Sequence, residues 1–202
     1  MIKTIIFDFG DVFINLDKAA TIREFSKLGT FEMTLELLKI NNQYEVGQIS
    51  TQEFIQTYKN IFPKASKNEL IDAWNAILLD FPRHRFDFIK NLASQQKYNL
   101  ILLSNTNDLH IKWIKENVPF YEEFKSSFDT FYLSHEIKLR KPNIDIFEFV
   151  LNQHQIKPSE TIFIDDTKEN TDSAKRIGIH TWNNNPKTED ITNLFTIKSN
   201  LF

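Results

Sequence analysis

The segment Thr4-Ile5-Ile6-Phe7-Asp8-Phe9-Gly10 is apolar at successive positions up to Asp8, and the pattern breaks at Gly10. A strand with no polar face must be covered on both sides, as in the centre of a parallel α/β sheet. A carboxylate at the carboxyl end of such a strand lies at the mouth of the crevice where open α/β sheets bind ligands. Gly10 lets the backbone turn sharply and lets a ligand approach it closely. The chain has only 4 glycines in 202 residues, so a glycine at a strand end has a backbone reason to be there. Taken alone, Asp8 reads equally well as the cap of an ordinary turn. Later stretches decide between the two readings.

Residues 1–14 supply the first strand and its loop, and from 15 to 81 the texture becomes helical. Ile22, Phe25 and Leu28 recur at helical spacing, as do Leu35, Leu37 and Leu38, then Phe54, Ile55 and Tyr58, then Leu70, Ile71, Trp74, Ile77 and Leu78. Ser50 followed by Glu53 has the spacing of a reciprocal helix cap. The reading is a small insert of about four helices, its aromatic residues serving as core.

Strand–helix alternation resumes at Pro82. Arg83–Lys97 reads as a helix, Asn99–Leu103 as a strand ending at Ser104, and Asn107 or Asp108 as the cap of a helix that stops before Pro119. Thr130–Ser134 is a third strand, followed by a polar loop to Lys141 and by Pro142 at the expected start of the next helix. Thr161–Ile164 is a fourth strand ending at Asp165-Asp166. Lys168–Ile177 is a helix stopped by Gly178, Ile179–Trp182 is a fifth strand, and a last helix surrounds Ile191–Phe195. The expected fold is α/β, a Rossmann-like parallel sheet with crossover helices. Its core is 1–14 with 82–202, and the all-helical insert, 15–81, follows the first strand.

Asp8, Ser104 and Asp165-Asp166 all stand at carboxyl ends of expected parallel strands, and in one sheet those ends share an edge. Lys141 follows the third strand and is within reach of it. Each is bland alone: a hydroxyl in a turn, a solvated lysine, a helix-capping acid. Together they suit a phosphate ester. Crowded carboxylates repel unless a cation sits between them, and Mg²⁺ is a hard ion that takes oxygen ligands while keeping water and substrate oxygens. Asp8 would attack phosphorus. Ser104, the backbone N–H groups near Asn105 and the Lys141 ammonium would face the phosphoryl oxygens.

The net charge of −3 argues against general attraction to nucleic acid or anionic membrane. The absence of cysteine excludes disulfides, thiol catalysis and thiolate-ligated metals. No basic leader opens the chain and no apolar run approaches the ~20 residues of a membrane span. A cytoplasmic monomer or weak dimer acting on a small phosphorylated metabolite is the expectation.

These motifs resemble the haloacid dehalogenase (HAD) superfamily, and within it the small helical-cap phosphatases that include bacterial α-D-glucose-1-phosphate phosphatase. The resemblance is carried by Phe7-Asp8-Phe9-Gly10-Asp11-Val12, Tyr44-Glu45-Val46-Gly47-Gln48-Ile49-Ser50, Leu102-Leu103-Ser104-Asn105-Thr106-Asn107, Arg140-Lys141-Pro142, and Phe163-Ile164-Asp165-Asp166 with Asn170. It implies a helical cap over the crevice and Asp8 as nucleophile and metal ligand. It also implies the Gly10 carbonyl as a second ligand, Asp165 completing the metal site with Asp166 beside it, and Ser104, Asn105 and Lys141 on the phosphoryl group. The chain departs from most phosphatases of that superfamily at Gly10, where they carry a second aspartate as acid and base. Asp11 and Glu45 are the candidates to replace it, and a substrate with a good leaving group, such as an anomeric phosphate, would need less help. The same gap keeps open a 2-haloacid dehalogenase, in which Asp8 attacks carbon without a metal, and a catalytically weak phospho-ligand binder. Paired acids in the crevice would repel a haloacid carboxylate. In the cap, Gln43, Tyr44, Glu45, Trp74 and His84 have the chemistry to face a sugar, although each reads first as packing or solvent-facing.

Overall fold

A computed structural model describes residues 1–202. Strands β1 (Thr4–Phe7), β2 (Asn99–Ser104), β3 (Thr130–Leu133), β4 (Thr161–Asp165) and β5 (His180–Asn183) form one sheet of five in the order β3-β2-β1-β4-β5. All neighbours are parallel, with Ile6 opposite both Ile101 and Phe163. β1 is the centre. The chain builds outward from it on one side through β2 and β3, then returns to its other side with β4. The order therefore reverses at the carboxyl end of β1, where open α/β sheets form their crevice.

The apolar run of β1 is buried on both faces, as its composition requires. Ile5 and Phe7 enter a large cluster with Leu100, Leu102, Ile162 and Ile164, and Ile6 enters a second with Ile101, Leu103 and Phe163. The first face is covered by α5 (Arg83–Ser94), α6 (Asp108–Asn117), α7 (Tyr121–Ser126) and the C-terminal tail, and the second by α9 (Ile144–His154) and α10 (Lys168–Arg176). Phenylalanines dominate the first face: Phe124 lies 5.0 Å from Phe13 and 5.1 Å from Phe9, centroid to centroid.

Helices α1 (Ala20–Leu28), α2 (Leu35–Glu45), α3 (Thr51–Ile61) and α4 (Lys67–Asn75) build a separate apolar cluster around Phe25, Phe54, Tyr58 and Trp74, to which α6 contributes Leu109. Both α3 and α4 start with reciprocal caps. Ser50 pairs with Glu53 as the spacing suggests, and Ser66 pairs with Glu69, which has the same spacing. The segments entering and leaving these helices pair with each other. Asn15 N–H donates to the Asp80 carbonyl at 2.9 Å, Leu79 N–H to Asn15 at 3.0 Å, and Asp17 N–H to Ile77 at 2.9 Å.

Several boundaries differ from the sequence reading. The helix after Lys141 begins at Ile144, because Pro142 occupies a turn ahead of it. The polar stretch after β3 opens with one helical turn, α8 (Ser134–Ile137), and α7 fills what reads as loop. α5 ends at Ser94, short of Lys97, and the tail forms a 3₁₀ turn, Ile191–Asn193, running into α11 (Leu194–Ile197). No helix is long and apolar enough to cross a membrane.

Arg85 ties the start of α5 to the first loop and the tail. Its guanidinium donates to Asn15 Oδ1 at 2.9 Å, to the Phe13 carbonyl at 3.3 Å and to Asp190 Oδ2 at 2.9 Å. Asp190 also accepts from Thr192 N–H at 3.0 Å and pairs with His84 at 3.0 Å. Its partial burial would raise its pKa. The His84, Thr192 and Arg85 contacts outweigh that and hold it well below the usual carboxylate range. The ion pair therefore stabilises the fold above the unfolded pKa of about 3.9 and is lost as pH falls through the lower folded value. We expect Asp190→Asn to cost about 1 kcal/mol in urea unfolding at neutral pH, with the gap to wild type closing in acid below about pH 4.

Candidate active site

The carboxyl ends of β1, β2 and β4 open on a cavity of about 370 Å³. Asp8, Gly10, Asn105, Lys141 and Asp166 all line it, with Leu16, Lys18, Arg140 and Asn170 among the others. Of the residues singled out from sequence, Ser104 and Asp165 do not line the cavity. Both are buried beneath it, Ser104 with its hydroxyl 3.5 Å from the Asn105 carbonyl.

Asp8 sits one residue beyond β1, and its N–H remains in the ladder, donating to Ile164 at 2.9 Å. The chain then turns back tightly. Phe13 N–H donates to Phe9 at 2.9 Å, and Asp11, at φ 55°, donates to Ile14 at 2.7 Å. Aspartate is one of the few non-glycine residues that tolerate that left-handed conformation. The Asp11 side chain is committed to the turn: Oδ1 accepts from Leu16 N–H at 3.0 Å, and Oδ2 lies 3.1 Å from the Lys18 ammonium. At Gly10, a Cβ would come within 2.7 Å of Leu16 Cδ1, so an acidic side chain there requires Leu16 to move.

Lys141 is 1 % exposed and lies between two carboxylates, 2.6 Å from Asp8 Oδ1 and 2.7 Å from Asp165 Oδ2. Burial would lower the pKa of its ammonium, but Asp165 and Asp8 raise it above the ordinary lysine value, so it stays charged. Asn105 fixes its backbone from both sides: the amide nitrogen donates to the Lys141 carbonyl at 2.9 Å, and the amide oxygen accepts the Lys141 N–H at 3.0 Å. Thr106 N–H is spent on Ser134 Oγ at 2.9 Å.

The two acids after β4 differ. Asp165 is fully buried, and both of its oxygens are taken. Oδ1 accepts from Thr167 N–H at 2.8 Å and Asn170 at 3.1 Å, while Oδ2 accepts from Asn170 at 2.9 Å and from Lys141. Asp166 faces the cavity, and its Oδ2 contacts only Lys18. Burial raises the Asp166 pKa, and Lys18 offsets part of that rise. One oxygen each of Asp8, Asp165 and Asp166 lie within 4.8 Å of one another, a hard-oxygen set of the kind that holds Mg²⁺.

The helical layer meets this edge at several points. Glu45, at the end of α2, pairs with Arg140 at 2.9 Å, and burial raises its pKa. The Lys138 ammonium donates to the Gly47 carbonyl at 2.7 Å. Gly47 has φ 59°, and a Cβ there would collide with the His135 carbonyl and the Lys138 ammonium. Asn107 caps α6 by accepting from His110 N–H at 3.1 Å, and its Oδ1 also lies 3.3 Å from Trp74 Nε1. His110 stacks on Trp74 at 5.2 Å, and its burial pushes its pKa down to about 4, leaving the ring neutral. Tyr44 and Trp74 are thus buried packing residues, and His84 pairs with Asp190 on α5. Lys18 had no motif to single it out, and only the fold brings it beside Asp166.

The haloacid dehalogenase-like hydrolase profile matches residues 5–183. The chain belongs to that family. It is 31% identical over 191 residues to the D-ribitol-5-phosphate phosphatase of Bacteroides thetaiotaomicron, covering 90% of this chain and 91% of that protein. A HAD family enzyme from the same organism, solved with magnesium and inorganic phosphate, superposes with a TM-score of 0.84 at 37% identity, over 96% of this chain and 100% of the other. A predicted HAD-like hydrolase from Porphyromonas gingivalis gives 0.80 at 33% identity, over 90% of each chain. A dehalogenase structure at 16% identity, with a TM-score of 0.63, covers 97% of this chain and 96% of its own and shares the fold.

Burial raises the Asp8 pKa to about 7; Lys141 opposes this and Asp165 adds to it. A carboxyl whose folded pKa exceeds its unfolded one of about 3.9 costs stability increasingly as pH rises between the two values. Asp8→Asn removes that cost. In EDTA, we expect the variant to melt at or above the wild-type temperature at about pH 8, with this advantage shrinking toward about pH 4.

Proposed function

We propose that this hydrolase is a magnesium-dependent phosphatase of a small phosphorylated metabolite, working through a phosphoryl group carried on Asp8. The observation that carries the reading is the Asp8 carboxylate at the cavity mouth, one oxygen held by the buried Lys141 and clustered with two further acids. The donor set, all hard oxygen, fits Mg²⁺. Asp8, Asp166 and the Gly10 carbonyl would hold it, with Asp165 supporting the site through Lys141 and Asn170. When bound, the ion would offset the repulsion between carboxylate and phosphate and orient the two.

Asp8 attacks phosphorus, the P–O bond to the metabolite breaks, and the departing oxygen takes up a proton from solvent water. Water then cleaves the aspartyl-phosphate and releases inorganic phosphate. Lys141 keeps Asp8 aligned and stabilises negative charge on the phosphoryl oxygens. Asn105 acts through Lys141, whose backbone it holds, and Ser104 supports the same loop from below. Residues 15–81 act as a cap on the core formed by 1–14 and 82–202, excluding water when closed over the substrate. A polyol or sugar phosphate suits the lining, in which Leu16 is the one large apolar side chain and no aromatic ring offers a stacking face. The relative's named substrate, a phosphate ester of a primary alcohol, has a poor leaving group, which weighs against restricting this site to anomeric phosphates such as glucose 1-phosphate. A cytoplasmic setting is consistent with this reading.

The dehalogenase reading is favoured by Gly10 alone. Asp165 and Asp166 weigh against it, because they would repel a carboxylate substrate.

The test is phosphate release from ribitol 5-phosphate, glucose 1-phosphate, glucose 6-phosphate and an aryl phosphate, with Mg²⁺ or EDTA, beside halide release from a 2-haloacid. Magnesium-dependent phosphate release that disappears in Asp8→Asn is expected; halide release indifferent to EDTA would replace this reading with the dehalogenase. Lys141→Ala should lower kcat/KM on the order of 10²- to 10³-fold, and an unchanged value would remove Lys141 from the mechanism.

A further inference from the structure

Four carboxylates gather at the carboxyl edge of the sheet, of which Asp8 and Asp166 line the cavity, and two lysines divide them. Lys141 spans Asp8 and Asp165, and Lys18 spans Asp11 and Asp166. The two ammoniums are not equivalent. Lys141 is 1 % exposed and locked by Asn105 through its backbone, so it cannot leave. The Lys18 side chain is 56% exposed and is held only by its two ion pairs. An exposed lysine pair is weak and readily exchanged. The carboxylate it covers is the one of the clustered acids that faces the cavity without other strong partners, Asp166. Lys18 also lies in the segment that leads from the β1 loop into α1, two residues before that helix begins.

We propose that Lys18 is an internal counter-ion that competes with a divalent cation for Asp166. It neutralises the outer carboxylates while the site is empty of metal and yields Asp166 when the ion arrives. The competition is electrostatic. A divalent ion meets both the repulsion of the nearby ammonium and the cost of breaking its contact with Asp166, so Lys18 sets the metal affinity below what the carboxylates alone would give. The inference rests on the reading that the Asp8, Asp165 and Asp166 cluster takes a divalent ion, and the experiment separates the two.

Mn²⁺ binding followed by the electron paramagnetic resonance of the free ion, and Mg²⁺ binding by calorimetry, would be measured on wild type, Lys18→Met, Lys18→Arg and Asp166→Asn. Lys18→Met should bind about three- to tenfold more tightly, Lys18→Arg should match wild type, and the gain should narrow at high salt. Metal-free Lys18→Met should melt below wild type, and the two should converge in saturating Mg²⁺. A Lys18→Met affinity equal to or weaker than wild type would overturn the proposal. If wild type binds a divalent ion and Asp166→Asn loses it while Lys18→Met changes nothing, Lys18 alone is excluded. If wild type binds none, the magnesium reading falls and this inference with it.

Discussion

The ammonium of Lys141 is the interaction on which the rest of the site depends. Without it, Asp8 and Asp165 would be two buried carboxylates side by side, an arrangement that their mutual repulsion would push apart or open to water. The surroundings of Lys141 are accordingly over-determined. The Asn105 amide grips its backbone at both polar groups, and Asn170 and the Thr167 N–H saturate the oxygens of Asp165 that the lysine leaves free. Three loops, following β2, β3 and β4, are bound to one another through this lysine. Asp8, just beyond β1, is held in place by a network rather than by its own loop.

The helical layer is fastened to the same loops. Asn107 lies two residues beyond Asn105 and serves at once as the cap of α6 and as the acceptor for Trp74. Glu45 meets Arg140, the residue before Lys141. The elements that would hold phosphate are therefore also those on which the helices rest. The two functions share residues, and a substitution at Asn107 or Arg140 touches both.

Much of this was legible in the sequence because it depends on residue type at strand ends. The double-sided apolar run before Asp8, the acids after the fourth strand and the alternation of strands with helices led to the parallel sheet and the edge where the carboxylates meet. Interactions made across the fold were less visible. Asn105 reads as a residue near the phosphoryl group, and only the fold shows that its side-chain amide holds the Lys141 backbone. The sequence leaves open which of Asp165 and Asp166 would meet a metal directly; in the fold the oxygens of Asp165 are filled and Asp166 faces the cavity. Tyr44 and Trp74 are the packing residues they first read as, and Lys18 carries no local signal at all. Helix ends followed the caps where Ser50 and Asn107 marked them. They strayed at Pro142, which serves the turn that precedes the helix rather than its first position.

The paired segments at residues 15–17 and 77–80 have a mechanical consequence. A single covalent tether would let the helices swivel in any direction, but two segments joined by backbone hydrogen bonds form a ribbon. A ribbon resists shear in its own plane and bends far more easily perpendicular to it, so this joint favours one direction of bending. Lys18 follows directly on one edge of that ribbon.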